Sequence, residues 1–386
     1  MRLPDYNGGS LLNLIASLAA ARGARARHPT LSALPPDRLV SARNLVFLLV
    51  DGLGYNYLTD VGRGGALCEH LAGKLTSVFP STTASAITTS FTGRSPHEHG
   101  LTGWFTWFSA VDTIAAPLPF RRRGDDKRLT DLGIRPAQLF DDTPSILDAM
   151  DCRRIVVSQR RIVDSDYSRH FGGGSERRGY DHLTELVGAV VAAVRSGPER
   201  KYIYAYYPEF DSVAHKHGVG SAQAAMRLQA IDAAFAELLR RLSGTDTALV
   251  VSADHGFIDT PAHEALELER YPELAGMLVR PLSGEPRVAF CHVRPGLAGS
   301  FMAKARDMLN EYMDVLPSSR LVEEGWFGPG VAHRCLAERV GDVALVMKRH
   351  AIIKDHLPGE KRHTLIGNHG GITEDEMLIP LVFARL

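Results

Sequence analysis

Five short clusters combine side chains able to bind a cation or attack an electrophile with residues that favour turns and helix starts. They are Asp51-Gly52-Leu53-Gly54, Pro80-Ser81-Thr82-Thr83, Asp211 with His215 four residues on, Asp254-His255-Gly256, and Gly367-Asn368-His369-Gly370. Carboxylate and imidazole together suit zinc or a similar borderline cation. Two such cations roughly 4 Å apart can clamp the attacking and leaving oxygens of an in-line displacement at phosphorus. A threonine hydroxyl is a poor nucleophile unless a metal or a base activates it. Thr83 opens a helix pattern, so neighbouring backbone N–H groups would face a bound anion. Taken singly, each cluster has a plainer account. Asp-Gly after a strand is commonly a turn, Ser and Thr before a helix are commonly caps, and Asp and His four apart are commonly a helical surface pair.

The elements that carry the clusters make the joint occurrence informative. Short apolar runs at Leu45–Val50, Leu75–Phe79, Arg154–Ser158, Tyr202–Tyr206, Ala248–Ser252 and Leu378–Phe383 have the length and near-continuous hydrophobicity of strands covered on both faces. Helical patterns alternate with them. The clearest runs from Ser221 to Leu242, with Leu228, Ile231, Phe235, Leu238 and Leu242 on one face, Ser221 to cap its start and Gly244 beyond its end. Near the N-terminus, Ser10 followed by Leu11, Leu12, Ile15 and Leu18 predicts another capped helix. The pattern predicts an α/β protein: a doubly wound, mostly parallel central sheet with helices on both faces and a smaller inserted α+β subdomain. Residues 1–260 and 350–386 form the core in this scheme. Residues 261–349 form the insertion, with strands at Arg287–Val293 and Val343–Met347 and a helix near Ser300–Tyr312. Residues 104–142, rich in aromatics, Pro and charge, form an excursion over the site. In open α/β sheets ligands gather at the carboxyl ends of the strands, where four of the five clusters fall. Unrelated turns would not be expected to deliver three Asp, two Asp–His pairings and a further His to one sheet edge.

Composition narrows the partners. The 386 residues include 44 basic and 44 acidic side chains, 45% hydrophobic and 23% charged residues, the balance of an ordinary globular protein. Zero net charge offers no attraction to a nucleic-acid polymer or a membrane surface, and no apolar run is long enough to span a bilayer. Cys68, Cys152, Cys291 and Cys335 show no CxxC spacing, and the apolar stretch Leu11–Ala21 lacks the flanks of a secretory signal. A cytoplasmic location is the corresponding expectation, with oligomeric state left open.

The five clusters, in this order, resemble the alkaline phosphatase superfamily, and within it the type I phosphodiesterase/nucleotide pyrophosphatase branch. The resemblance extends from about Leu45 to Leu386 and includes Thr92-Gly93 and Pro96-His97-Glu98-His99-Gly100 downstream of Thr83, and His217-Gly218 after His215. It implies two divalent ions, zinc or alternatively manganese. One would be held by Asp211, His215 and His369, the other by Asp51, Asp254, His255 and the Thr83 oxygen. It also implies attack by Thr83 to give a covalent phospho- or nucleotidyl-threonine that water then hydrolyses, and a small phosphoester substrate such as a nucleotide. The branch usually carries an Asn shortly after its His-Gly pair, donating to a phosphate oxygen; here the stretch reads Leu101-Thr102-Gly103-Trp104. Trp104 could stack on a base or pack as a lid or core aromatic. Arg121 and Arg123 are candidate phosphate contacts, in a run that also suits a solvated loop beside Asp125 and Asp126. Lys354, His356 and Arg362 precede His369 and could reach the same edge. The same metal set would also serve a phosphonate hydrolase, a phosphomonoesterase or a phosphomutase, and a non-catalytic metal-stabilised binding protein is the remaining alternative.

Overall fold

In the computed structural model, which describes residues 1–141, 143–360 and 365–386, the apolar runs assemble into one seven-stranded sheet. Its strands are β1 (Asn44–Val50), β2 (Leu71–Thr76), β3 (Arg153–Gln159), β4 (Glu176–Tyr180), β5 (Lys201–Tyr207), β6 (Thr247–Ser252) and β7 (Leu378–Arg385), in the spatial order β2-β7-β6-β1-β5-β3-β4. The β6-β1-β5-β3-β4 pairings are parallel, and β7 runs antiparallel to both neighbours. The fold is therefore the doubly wound α/β architecture that the pattern predicts.

Every residue of β1, β5 and β6 is buried, which is why these strands read as unbroken apolar runs rather than alternating ones. Alternation survives in what each side chain meets. Phe47 of β1 packs on Tyr204 of β5, which in turn packs on Phe91 of α2 (Thr83–Thr92). Leu48 and Val50 face the other way, toward Leu183 and Leu186 of α3 (Leu183–Val194) and Ile231 and Leu238 of α5 (Ala222–Leu242). Helices thus cover both faces. The N-cap of α5 is Ser221, whose hydroxyl accepts from Ala224 N at 3.2 Å. Helix α1 (Leu11–Ala20) starts with a capping box of Ser10 and Asn13 and is buried over almost its whole length.

Two strands depart from the sequence expectation. The run Leu75–Phe79 pairs as Leu71–Thr76 instead, because Ser77 turns out of the sheet: its N–H donates to Met377 O and its hydroxyl to Asp254 O. Phe79 then leaves the sheet's face to pack edge-on against Trp326 and Phe327, at 5.2 and 5.1 Å between ring centroids. Strand β4, with sequence Glu-Arg-Arg-Gly-Tyr, lies at an edge where charged side chains reach solvent, so it carries no apolar signature.

Residues 283–347 hold a second, four-stranded antiparallel sheet in the order Ser283–Gly284, Val288–Cys291, Val343–Met347, Met313–Pro317. Ala289, Cys291, Val343, Leu345 and Met347 face Phe301, Ala305 and Leu309 of the helix Ala298–Leu309. Val288, Phe290, Ala344 and Val346 face Phe79, Trp326, Phe327 and Met377. One face of this sheet is thus its own core and the other is its contact with the main sheet, as the two-residue period of a strand requires. A buried ion pair fastens that contact: Arg287 donates from Nε and Nη2 to the two oxygens of Glu376, both at 2.9 Å, with both side chains fully buried. Residues 104–142 include a three-stranded sheet (Thr106–Phe108, Thr113–Ala116, Arg121–Arg122) joined to the second sheet by the backbone pair Phe105–Gly284. None of the described helices is long and apolar enough to cross a membrane.

Burial opposes the charge of Glu376, but Arg287 and the Thr373 and Gly371 donors hold its carboxyl below the usual range. The stabilisation is therefore complete at neutral pH and lost as acid titrates Glu376. Arg287→Met, which strands a buried carboxylate, is expected to cost about 3–5 kcal/mol in denaturant unfolding at pH 7. The deficit should narrow as the pH is lowered.

Candidate active site

Strands β5, β1 and β6 lie side by side and parallel, with Val50 opposite Tyr207 and Leu49 opposite Ser252, so their carboxyl ends open at one edge. Asp51 follows β1 directly. Asp211 and His215 lie one turn apart on α4 (Glu209–His217), which begins two residues after β5, and Asp254-His255 lie just beyond β6. Thr83 is the first residue of α2, and His369 follows the two-residue strand Gly367–Asn368 paired with Ile258–Asp259. The turns must pass close to one another. A Cβ on Gly256 would lie 2.0 Å from the Asp375 carbonyl, so only glycine fits after His255.

These seven residues converge. Thr83 Oγ1 lies 3.1 Å from His255 Nε2 and 3.5 Å from Asp51 Oδ1. His255 Nε2 is 3.4 Å from both Asp51 Oδ1 and Asp254 Oδ2. On the other side, Asp211 Oδ1 is 3.3 Å from His215 Nε2 and 3.7 Å from His369 Nε2, and the two imidazole nitrogens are 3.2 Å apart. The His255 and His369 rings stack at 3.7 Å, joining the two halves. Ligand atoms of Asp51, Asp254 and His255 lie within 4.8 Å of one another, and so do those of Asp211, His255 and His369. His255 thus belongs to both groups, whereas the resemblance gives it to one.

The hydrogen bonds fix which nitrogen of each ring is available. Nδ1 of His215, His255 and His369 faces the carbonyls of Gly367, Gly256 and Ser81 at 2.8, 3.1 and 3.3 Å. Donation there places the N–H on Nδ1 and leaves the Nε2 lone pair pointing inward, the tautomer a cation requires. Charge argues the same way. Burial, with the charge of Asp211, pushes Asp51 well above the usual carboxylate range, and burial with Asp51 does the same to Asp254. His369 is driven well below the ordinary imidazole range by burial and by His255 and His215. His215 is the exception: burial opposes its charge, yet Asp211, 3.3 Å from Nε2, outweighs it and raises the ring to about 9, so a cation bound there would displace a proton from Nε2. Asp211 Oδ1 and Asp254 Oδ2 are buried with no hydrogen-bond partner among the described residues. Three crowded carboxylates, inward lone pairs and two orphaned oxygens fit a pair of divalent cations.

The other expected contacts are distributed differently. Trp104 is 38% exposed, neither a core aromatic nor in ring contact with the cluster. Arg121 pairs with Asp126, and Arg123 is buried against Asp355 and Glu360 while stacking on Phe105, so both cations already have carboxylate partners. His356 donates its backbone N–H to Glu269, and Arg362 lies outside the described residues.

Two residues at the site carry no signal in the sequence. Tyr206, near the end of an apolar strand, donates its hydroxyl to Asp51 Oδ2. Glu285, 203 positions from Thr82, is buried and accepts from Thr82 Oγ1 and from Trp104 N, each at 2.5 Å. Thr82 is the N-cap of α2 but makes no side-chain cap. With its hydroxyl turned to Glu285, the first-turn N–H groups of α2 are left for an anion.

A doubly wound sheet with carboxylates, imidazoles and a helix-opening threonine at its carboxyl edge defines an alkaline-phosphatase-like phosphoryl-transfer hydrolase. Residues 45–372 match the family model described as type I phosphodiesterase/nucleotide pyrophosphatase, and the chain belongs to that family. Among solved structures it is similar to murine ectonucleotide pyrophosphatase/phosphodiesterase 5, in an inactive form in complex with AMP (TM-score 0.64, 16% identity, 87% of each chain). It is also similar to the human counterpart (TM-score 0.63, 15% identity, 88% of this chain and 87% of that one). A third neighbour is phosphonoacetate hydrolase from Sinorhizobium meliloti 1021 in complex with phosphonoacetate (TM-score 0.60, 18% identity, 89% of this chain and 91% of that one). At these identities the likeness establishes the fold. No curated protein matches.

Cations that bind only the folded state add stability. Zinc or manganese at a hundredfold excess over its Kd should raise the stability of chelator-treated protein by about 2.7 kcal/mol. The rise is expected as an upward shift in Tm that Asp51→Asn combined with Asp211→Asn removes.

Proposed function

We propose that the chain is a two-metal phosphodiesterase/nucleotide pyrophosphatase that acts through a covalent intermediate on Thr83. The convergence of Asp51, Thr83, Asp211, His215, Asp254, His255 and His369 from five separate segments carries this proposal. Asp211, His215 and His369 would hold one ion, and Asp51, Asp254, His255 and the Thr83 oxygen the other; zinc suits this mixed donor set and manganese is the alternative. When bound, such ions offset negative charge on the attacking and leaving oxygens.

The protein's own groups do the rest. Tyr206 fixes Asp51, and the Gly52 and His255 N–H groups fix Asp254 Oδ1 at 2.9 and 3.1 Å. Thr83 Oγ1 is held between His255 Nε2 and Asp51, with its hydroxyl proton directed at the cluster. The uncapped first turn of α2 receives the phosphoryl oxygens beside it. Attack by Thr83 Oγ1, its proton passing to the adjacent Asp and His cluster, forms the new P–O bond as the ester oxygen departs; water then attacks phosphorus, the P–Oγ1 bond breaks and Thr83 regains a proton. The half-exposed Trp104 ring, its backbone held by Glu285, offers a stacking surface for a base in the leaving group. The inactive murine neighbour complexed with AMP carries a threonine-to-alanine change, in keeping with a threonine nucleophile and a nucleotide ligand.

One observation favours a second substrate class. The stretch Leu101–Trp104 has no Asn to donate to a phosphate oxygen, and a neighbour of similar TM-score binds phosphonoacetate, so a phosphonate hydrolase with the same metal set is the alternative.

Thr83→Ala is expected to lower kcat for bis-p-nitrophenyl phosphate by at least roughly a thousandfold, with bound metal unchanged by elemental analysis. His369→Ala is expected to lower metal stoichiometry itself. Turnover retained in the first variant would exclude Thr83 as the nucleophile.

A further inference from the structure

Glu285 holds the backbone of Trp104, in the stretch Leu101–Trp104 that carries no Asn. It comes from the Ser283–Gly284/Val288–Cys291 hairpin, far from the catalytic clusters in sequence. Its Oε1 is fixed by Thr82, the residue before the nucleophile, and by the N–H of Trp104, in the stretch that lacks the expected Asn. Its Cβ and Cγ lie over Gly370, immediately after His369: a Cβ built on that glycine, whose φ is +109°, would sit 2.7 Å from both. The carboxyl group is therefore wedged between the first turn of α2 and the His369 loop, beside the anion cradle. Both donors go to Oε1. Burial pushes the group up to about 7, and the donors from Thr82 and Trp104 and the charges of His255 and His215 act against that rise.

We propose that Glu285 sets the charge of the substrate that this site accepts, favouring singly charged phosphodiesters over doubly charged phosphomonoesters. The inference rests on the phosphodiesterase function proposed above and adds its source of selectivity. A phosphodiester brings one negative charge to the cradle and a monoester two. A buried carboxylate fixed against the first turn of α2 repels the second charge in a water-poor setting where repulsion is weakly screened. The cations and the α2 N-terminus attract both substrates; Glu285 is the element that separates them.

Glu285→Gln isolates the charge. The amide is isosteric, and its oxygen can still accept from Thr82 and Trp104. Zinc-loaded wild-type and variant proteins would be compared by kcat/KM for bis-p-nitrophenyl phosphate and p-nitrophenyl phosphate, and by calorimetric Kd for inorganic phosphate at pH 8. Wild type should prefer the diester. In the variant the diester-to-monoester ratio should fall on the order of tenfold, mainly through a lower monoester KM, and phosphate should bind correspondingly tighter. A purely structural clamp would lower kcat for both substrates together and leave the ratio and the phosphate Kd in place, which overturns the inference while the phosphodiesterase function stands. A wild-type preference for the monoester would overturn that function itself, and this inference with it. Should Glu285→Gln fold poorly, Glu285→Met, which removes the charge by an apolar route, must shift the phosphate Kd in the same direction.

Discussion

The structure depends on a concentration of negative charge that the fold cannot avoid. Strand β1 lies between β5 and β6 with all three parallel, so the residues that follow them are delivered to one place. Asp51 and Asp254 are buried there with Asp211 close by, and both are pushed well above the ordinary carboxylate range. Such a cluster is unfavourable unless positive charge is brought to it. The surrounding groups are arranged as though to receive that charge. Three imidazoles turn their Nδ1 atoms to backbone carbonyls and their Nε2 atoms inward, and Tyr206 braces the aspartate after the central strand.

The second sheet is part of this arrangement. Within three consecutive residues, Glu285 reaches the turn before Thr83 and Arg287 forms the buried pair with Glu376. Glu376 also accepts from Gly371 N and Thr373, so the same carboxylate anchors the chain just beyond His369. The hairpin, the His369 loop and the start of β7 are thereby tied together. A shift of the second sheet would move Glu285, and with it Thr82 and Trp104, relative to the Asp and His cluster. The distance between the two sheets is thus a property of the active site as well as of the fold.

Much of this was legible in the sequence, for physical reasons that differ from element to element. Strands β1, β5 and β6 are buried on both faces and so announce themselves as apolar runs, whereas β4 at the edge keeps its charges in solvent and does not. The run at Leu75–Phe79 was misplaced because apolar character cannot tell a strand residue from Phe79, which is buried against another sheet. The cluster residues were legible because turn glycines and a strand end narrow the purposes an Asp or His can serve there. Arg121 and Arg123 carried only their charge as a signal, and charge is as readily used for ion pairs such as those with Asp126, Asp355 and Glu360.

Local periodicity, and what stands at the end of each strand, suffice to read the main sheet, the order of the Asp and His clusters and the helix-opening threonine from the chain alone. What surrounds Thr83 and the aspartates is set by tertiary packing. Glu285 and Thr82 are 203 residues apart, and Tyr206 and Asp51 are 155 apart. No local rule marks an acid in a Gly-Glu-Pro turn or a tyrosine in an apolar strand as belonging to a distant site. Their roles arise from packing, which brings together groups whose chemistry has meaning only in one another's presence.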